Sequence, residues 1–495
     1  MTGGDQSRVV VVMVPFVAHG HLNQLLHLSG FISTYDIPVH FVSTAAHLSQ
    51  ARARHHSFSD NNHIHFHAFP TPPFTTPPPN SSIPFPSHLQ SSFDSTLHLR
   101  RPVADLIISL SQTATRVAVI HDSLMSYVVQ DVKSIPNAET YNFRPLSAFY
   151  TFWDFWEKAG RPFPVDRNLL NRLPSQSETA TPEFKKFTKL QQAHMNLAVG
   201  ELFDSSRAIE GEFIEYLERE EISGKKKKIW AIGPVNPVQI PYDVTPSETR
   251  HRCLQWLDNQ PVNSVIYVSF GTTTTFSDDQ IRELAIGLEK SEHKFIWVVR
   301  AADMADAGNS CGGDTMVRLP DGFEERVNGR GLIERRWAPQ LEILGHFATG
   351  GFMSHCGWNS SMESISMGVP MATWPMHSDQ PRNAFLITDV LGIGVVVKGW
   401  ERRKELVTAV AVEEAVKRLM GSEEGEEMRR RATRLGDDVK RSVTEGGVRC
   451  LEMDSFISHI TRHTQTLHIS AERSSSRNVF LSSIGAANLT TLSFL

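Results

Sequence analysis

Between Trp337 and Gln380 the chain reads WAPQLEILGHFATGGFMSHCGWNSSMESISMGVPMATWPMHSDQ, and its polar residues are spaced to hold an anion beside a sugar. Residues 350–354 form a short, partly apolar run, and His355-Cys356-Gly357 turns the chain. Trp358–Met367 then has helical character that stops at Gly368-Val369-Pro370. A helix that opens directly after a glycine turn presents unpaired backbone N–H groups and the positive end of its dipole, which suits a phosphate. His355, Asn359 and Ser360 add polar donors there, and Glu363 follows Asn359 by one turn on the same helical face. Trp337 offers a flat face to a base, and Asp379-Gln380 offer acceptors and donors to a sugar. On spacing alone, an ordinary βα unit with a polar cap stays as open as a generic anion site.

Along its whole length this stretch resembles the plant secondary-product glycosyltransferase box of the UDP-sugar-dependent family 1 enzymes. The match includes Trp337-Ala338-Pro339-Gln340, the His355–Ser360 core, Glu363, Gly368-Val369-Pro370, Trp374-Pro375 and Asp379-Gln380. The resemblance implies that Trp337 stacks on uracil, with Ala338 and Gln340 also on the donor side, and that Glu363 holds the ribose hydroxyls. It implies that His355, Asn359 and Ser360 hold the diphosphate, and that Trp358, Asp379 and Gln380 hold the sugar. A hydroxyl of Thr272 or Thr273, in the loop after Val265–Ser269, is expected to donate to the diphosphate, the resemblance not fixing which. Gln380 suits UDP-glucose, with UDP-xylose as runner-up. The family fold is of GT-B type: α/β, with two Rossmann-like, doubly wound domains facing across a cleft.

Glycosyl transfer to an alcohol needs a base to take the hydroxyl proton, and a neutral histidine suits this at neutral pH. His21 lies where the apolar run Val9–Val14 gives way to a helix, at the carboxyl end of a parallel strand, where such folds bind ligands. The helix dipole there favours the neutral imidazole. Asp122 follows Val117–Ile120, again at a strand end, and would orient His21 and stabilise its imidazolium. The resemblance assigns the same pair. His19, in the same loop, reads as a polar loop residue, and His121 as a neighbour. The implied reaction inverts the anomeric centre, with UDP-glucose as co-substrate, no cofactor and no metal. The chain has no Asp-x-Asp for a metal-bridged diphosphate. A non-catalytic UDP-sugar-binding protein is the competing class, opposed by the intact His21 and Asp122.

Three segments of the first half resemble the zeatin O-glucosyltransferases: Val10–Met13 with Gly20–Leu28, Val119–Met125 with Tyr127–Asp131, and Ser134–Glu139. They imply a cytokinin-like acceptor, glucosylated on the side-chain hydroxyl of zeatin; UDP-xylose or a flavonoid or phenolic acceptor is the alternative. The aromatic run Phe149–Trp156 either walls such an acceptor or packs into the core.

The elements that must position these residues alternate as strand and helix. Near-continuous apolar strands at Val9–Val14, Val39–Ser43, Val117–Ile120, Val265–Ser269 and Lys294–Val299 suit parallel sheets covered on both faces. Helices are expected at Leu22–Thr34 and Asp279–Lys290, strands also at residues 62–68 and 332–335. Residues 70–86 are proline-rich loop and 301–315 Gly- and Asp-rich loop. The expected division is an acceptor-binding domain over 1–235, a linker over 236–260 and a UDP-sugar-binding domain over 261–450. A C-terminal helix over 451–463 and an atypical, Ser-rich tail over 464–495, read as disordered or extra, follow.

The chain has 495 residues, a formal net charge of −5 and 40% hydrophobic residues, which fits two globular domains and gives no basic field for nucleic acid. No apolar run reaches a membrane span, and the four scattered cysteines show no zinc spacing; a cytoplasmic monomer with reduced thiols is expected. His63, His65 and His67 would share one strand face, read as polar surface rather than metal ligands, and Lys225–Lys228 reads as a solvated loop. Dinucleotide-binding, serine-hydrolase and zinc-protease motifs are absent.

Overall fold

The apolar runs become two all-parallel sheets. The computed structural model describes residues 9–54, 63–80, 85–175, 180–223, 227–239, 250–299 and 317–462. The first sheet holds β1 (Val9–Val14), β2 (Val39–Thr44), β3 (Ile64–Phe69), β4 (Arg116–Asp122), β5 (Ala138–Arg144), β6 (Gly200–Phe203) and β7 (Lys228–Ala231), in spatial order β3-β2-β1-β4-β5-β6-β7. The second holds β8 (Val265–Ser269), β9 (Lys294–Val298), β10 (Gly331–Glu334), β11 (Thr349–Ser354), β12 (Met371–Thr373) and β13 (Gly394–Val396), in order β10-β9-β8-β11-β12-β13. Each order reverses once, between β1 and β4 and between β8 and β11, which is the doubly wound pattern.

Both faces of each sheet are covered. Val9, Val11 and Met13 of β1 pack in one apolar cluster, and Val10, Val12 and Val14 in another on the opposite face, as the two-residue period of a strand requires. In β8, Ile266 and Val268 face one cluster, Val265 and Tyr267 the other. At the two reversal points the register aligns strand ends: Val14 pairs with His121, and Ser269 with Ser354. Loops leaving the carboxyl ends of β1 and β4, and of β8 and β11, therefore lie side by side, and ligands of doubly wound sheets bind at such crevices.

The helix expected from Leu22 starts earlier, at His19, and runs to Ser33, so His21 belongs to its first turn. Phe149–Trp156 is a helix, Ala148–Lys158, and Phe149, Phe152, Trp153 and Trp156 are core: they pack with Phe213, Trp358 and Phe385. Arg252–Leu257, inside the expected linker, is helical. The helix Val448–Ile460 joins the core of the first sheet through Met453, Phe456, Ile457 and Ile460. Residues 81–84, 224–226, 240–249 and 300–316 and the tail from 463 lie outside the described residues.

Within β2 and β3, His40 Nδ1 and His67 Nε2 are 2.9 Å apart and the His40 and His65 rings 5.0 Å. Among the described residues the side chains with metal-ligand spacing lie elsewhere, at His251, Cys253 and Glu334. There Glu334 already faces the Arg252 guanidinium at 3.4 Å and accepts from the Arg336 N–H at 2.9 Å.

Candidate active site

His21 and Asp122, 101 positions apart in sequence, meet at the first reversal point, with Nδ1 2.7 Å from Asp122 Oδ2. Asp122 is fully buried and its other oxygen accepts the Leu124 N–H at 2.8 Å, capping the short turn that follows β4. That second bond fixes the carboxylate, so the His21 ring is held through Nδ1 and offers Nε2 for chemistry. Burial opposes the imidazolium, but the charge and hydrogen bond of Asp122, helped by the more distant Asp379, outweigh it and raise the His21 pKa above its ordinary value of 6.5. The helix dipole expected to favour the neutral ring is overridden by this buried partner.

At the second reversal point, Gly271 follows β8 with φ of 77°, a conformation glycine adopts without strain. A Cβ at Gly271 would stand 2.8 Å from His355 Nε2, and one at Gly357 2.6 Å from the same atom. The His355 ring is wedged between two glycines, and burial drops its pKa to about 4, which keeps it neutral. Its Nδ1 and the hydroxyls of Thr274 and Thr275 are buried without a partner among the described residues. Buried polar atoms are nearly always bonded, so these mark where a polar ligand belongs. Thr272 and Thr273 lie in the same turn and are half-buried. The helix Trp358–Met367 opens beside them, its N-cap Gly357 supplying no side-chain bond.

On that helix Ser360 and Glu363 both bond Gln340, whose Nε2 lies 3.0 Å from Ser360 Oγ and 2.7 Å from Glu363 Oε2. Burial lifts the Glu363 pKa to about 7, the Gln340 bond pulling the other way. Ala338 is buried, whereas Trp337 is 54% exposed with its ring edge-on to His251, bordering a cavity of about 420 Å³. The Trp358 side chain turns away from the helix start: it is buried among Phe149, Phe213 and Phe385, and its Nε1 donates to the Asp204 carbonyl at 2.6 Å. Asp379 stands at the start of the helix Gln380–Phe385, makes no side-chain capping bond there, and accepts from Asn383 Nδ2 at 2.7 Å. Burial raises its pKa, while His21 works against the rise, so Asp379 and His21 each feel the other's charge across the two halves. Gln380 is buried, and its Oε1 accepts the N–H groups of Met376 and His377 at 2.8 and 3.0 Å. Its Nε2 keeps only a weak 3.5 Å approach to His377.

Asn359 reaches across to the first half and donates to the Gly20 carbonyl at 2.7 Å. Its Oδ1 accepts from Gln24, whose amide also bonds Asp204. Asp204 is fully buried, which pushes its pKa up to about 7 despite the Val235 N–H that it accepts. His21 touches a largely buried aromatic cluster drawn from segments other than the expected run. Phe16 meets the His21 ring edge-on at 5.4 Å and Phe93 at 4.9 Å. Phe85 packs on Phe184 at 4.8 Å and on His377, from the second half, at 5.7 Å.

These features gather at the two reversal points, and comparison with known proteins gives the family of the chain that carries them. Residues 7–237 match the family model described as "Glycosyltransferase, N-terminal domain", and residues 245–438 that of "UDP-glucoronosyl and UDP-glucosyl transferase". Zeatin O-glucosyltransferase of Phaseolus lunatus is 52% identical over 92% of this chain and 98% of its own length. The chain belongs to the UDP-sugar-dependent glycosyltransferases. Zeatin O-xylosyltransferase of Phaseolus vulgaris is 50% identical over 93% of this glycosyltransferase and all of the relative. Among solved structures, Phytolacca americana UGT2 complexed with UDP-2fluoro-glucose and pterostilbene has a TM-score of 0.71 at 26% identity. It covers 93% of this chain and 100% of its own. TcCGT1 in complex with UDP has a TM-score of 0.73 at 25% identity, over 92% and 99% of the two chains. The glycosyltransferase thus has the GT-B fold of those enzymes. Among the described residues no helix is long and apolar enough to cross a membrane.

Sequence reasoning about this glycosyltransferase missed Gln24, Asp204, Thr274, Thr275, Asn383 and the Phe85–Phe184 pair. Gln24 had a signal: it follows His21 by three positions and so shares its side of a helix. Asp204 had none, since a lone aspartate after a short strand reads as surface.

Proposed function

We propose that this glycosyltransferase moves glucose from UDP-glucose to the side-chain hydroxyl of zeatin, inverting the anomeric centre. What carries the reading is 52% identity, along nearly full length, to a zeatin O-glucosyltransferase. The aromatic cluster of Phe16, Phe85, Phe93 and Phe184, which reaches His21 through Phe16, gives an acceptor such as a flat purine apolar surroundings next to the base.

In the proposed mechanism UDP lies along the Gly271 turn and the start of the Trp358–Met367 helix. Trp337 stacks on the base, with Ala338 and Gln340 beside it, and Glu363 accepts from the ribose. Neutral His355, the backbone N–H groups at Trp358–Ser360 and the hydroxyls of the 272–275 turn stabilise charge developing on the leaving diphosphate. Asn359 contributes once its bond to Gly20 is shared or exchanged. Asp379 and the Gln380 amide hold sugar hydroxyls. His21 Nε2 takes the acceptor proton as its oxygen attacks from the face opposite UDP, and Asp122 stabilises the imidazolium. The role of leaving-group stabiliser falls to protein donors, so the mechanism assigns none to a metal; chelation with EDTA is expected to leave the rate unchanged. The described thiols Cys253, Cys356 and Cys450 are unpaired, in keeping with a cytosolic setting.

UDP-xylose is the second reading, favoured by 50% identity to a zeatin O-xylosyltransferase. Incubation of the full chain with UDP-glucose or UDP-xylose and a panel of zeatin isomers, flavonoids and simple phenols separates these. Turnover of phenolics with none of any zeatin isomer would overturn the acceptor, and transfer of xylose alone the donor.

A further inference from the structure

The helix Gln380–Phe385 and its continuation have a second side. Pro381, Ala384, Phe385 and Thr388 follow the spacing of one helical face and line a cavity of about 530 Å³. Gln380 and Asn383, which serve the donor side, are not among its walls. The open-sided cavity is also bordered by Val396 at the end of β13, by the segment after it, and by Arg172–Ser175 of the first half. Its volume lies within the range of small-molecule sites.

The lining has donors in excess. Trp400 is 7% exposed, yet its Nε1 has no partner among the described residues. Lys398 is half-buried and makes no ion pair among the described residues; burial depresses its pKa, Glu405 opposing. Arg403 stands over the Trp400 ring, 5.2 Å from its centroid. Of the two carboxylates in the lining, Asp389 is occupied by Arg172 and by the Thr388 hydroxyl, leaving Glu401. Arg403 already donates to the Trp400 carbonyl at 3.2 Å, so the indole N–H and the Lys398 ammonium are the lining donors without an acceptor among the described residues, and they call for a ligand that brings acceptors and negative charge. Proline, alanine and phenylalanine walls call for an apolar body attached to it.

We propose that this cavity is a second small-molecule site, separate from the donor and acceptor sites, that binds an aromatic carboxylate. The carboxylate is held by Lys398, Arg403 and the Trp400 N–H, and the ring lies against Phe385 and Pro381.

The test is calorimetric titration of the full chain, kept saturated with UDP, with 2-naphthoate and with its neutral counterpart 2-naphthamide. The naphthoate binds, and the amide binds weaker by about tenfold or more, the difference a charge-assisted contact makes. Lys398→Met and Trp400→Phe each weaken naphthoate by about tenfold while the UDP affinity, which reports folding, stays unchanged. Absence of naphthoate binding, equal affinity for the two probes, or unchanged affinity in the Lys398→Met protein overturns the proposal. The last result would assign the probe to another pocket.

Discussion

Asn359 donates its amide to the carbonyl of Gly20, 2.7 Å away, so the helix Trp358–Met367 is bonded to the residue immediately before His21. The two halves of the chain are thereby in direct mechanical contact, and Gln24 doubles the connection by bonding Asn359 and Asp204 together. Gln24→Leu leaves the buried Asp204 with its Val235 N–H but without a partner on Oδ2, and is expected to destabilise the fold by about 1–3 kcal/mol. Combined with Asn359→Ala, the loss is less than the sum of the singles, by about 0.5 kcal/mol or more. Urea unfolding of the four proteins measures the coupling; strict additivity would show that the bonds do not act together.

His21→Ala is expected to lower the rate by about 10²–10⁴-fold while UDP affinity stays close to that of the native chain. Full activity of this variant would remove His21 from the role and make His19 the next candidate.

The pH profile separates Asp122 from a merely structural residue. A base is active when neutral, so the acid limb of kcat/KM follows the His21 pKa and lies above pH 6.5. Asp122→Asn removes the charge that raises it and leaves burial, which lowers it. The limb of the slower variant therefore moves to lower pH. A limb that stays in place shows that Asp122 does not set the protonation of His21.

On the proposed ribose contact, Glu363 is expected to make donor binding pH-dependent. Its folded pKa is about 7, so its carboxylate is mostly protonated at pH 6 and mostly ionised at pH 8. The ratio of UDP affinities, native over Glu363→Gln, is expected to grow by up to about tenfold between those values. Comparing the two proteins cancels the titration of UDP itself. A ratio independent of pH rules out the ionised carboxylate as the ribose acceptor.

Gly271→Ala meets two obstacles, a φ of 77° and a contact 2.8 Å from His355 Nε2. A loss of about 1–2 kcal/mol is expected from the backbone alone. UDP affinity falls further because the ring of His355 must move. Thermal unfolding and UDP titration of the variant measure both, and unchanged UDP affinity would show that His355 is not held by this turn.

The parallel sheets were legible because strands buried on both faces read as continuous valine runs, as at Val9–Val14. The box was legible because its residues are close in sequence. The His21–Asp122 meeting could be anticipated because both residues lie at the carboxyl ends of apolar strands, Asp122 as the last residue of β4. What was not legible depends on contacts between distant segments. Phe149–Trp156 looks equally suited to a pocket or a core, and only the partners Phe213, Trp358 and Phe385 decide for the core. Trp358 itself, placed by motif among the sugar contacts, spends its indole N–H on Asp204, a residue invisible to local reasoning. Helix starts depend on a single turn, which is why the first helix begins at His19 rather than Leu22.

The helix Val448–Ile460 fills the core of the first sheet, and Arg116 donates to the Ile460 carbonyl from the far end of the chain at 2.7 Å. During synthesis the ribosome therefore delivers the sheet long before the piece that seals it. Nascent chains carrying only the first half present Tyr141 and Trp230 without Phe456 against them. Cuts within this helix would expose the same surface, so a lesion in the last turns of the second half is felt as a folding defect of the first.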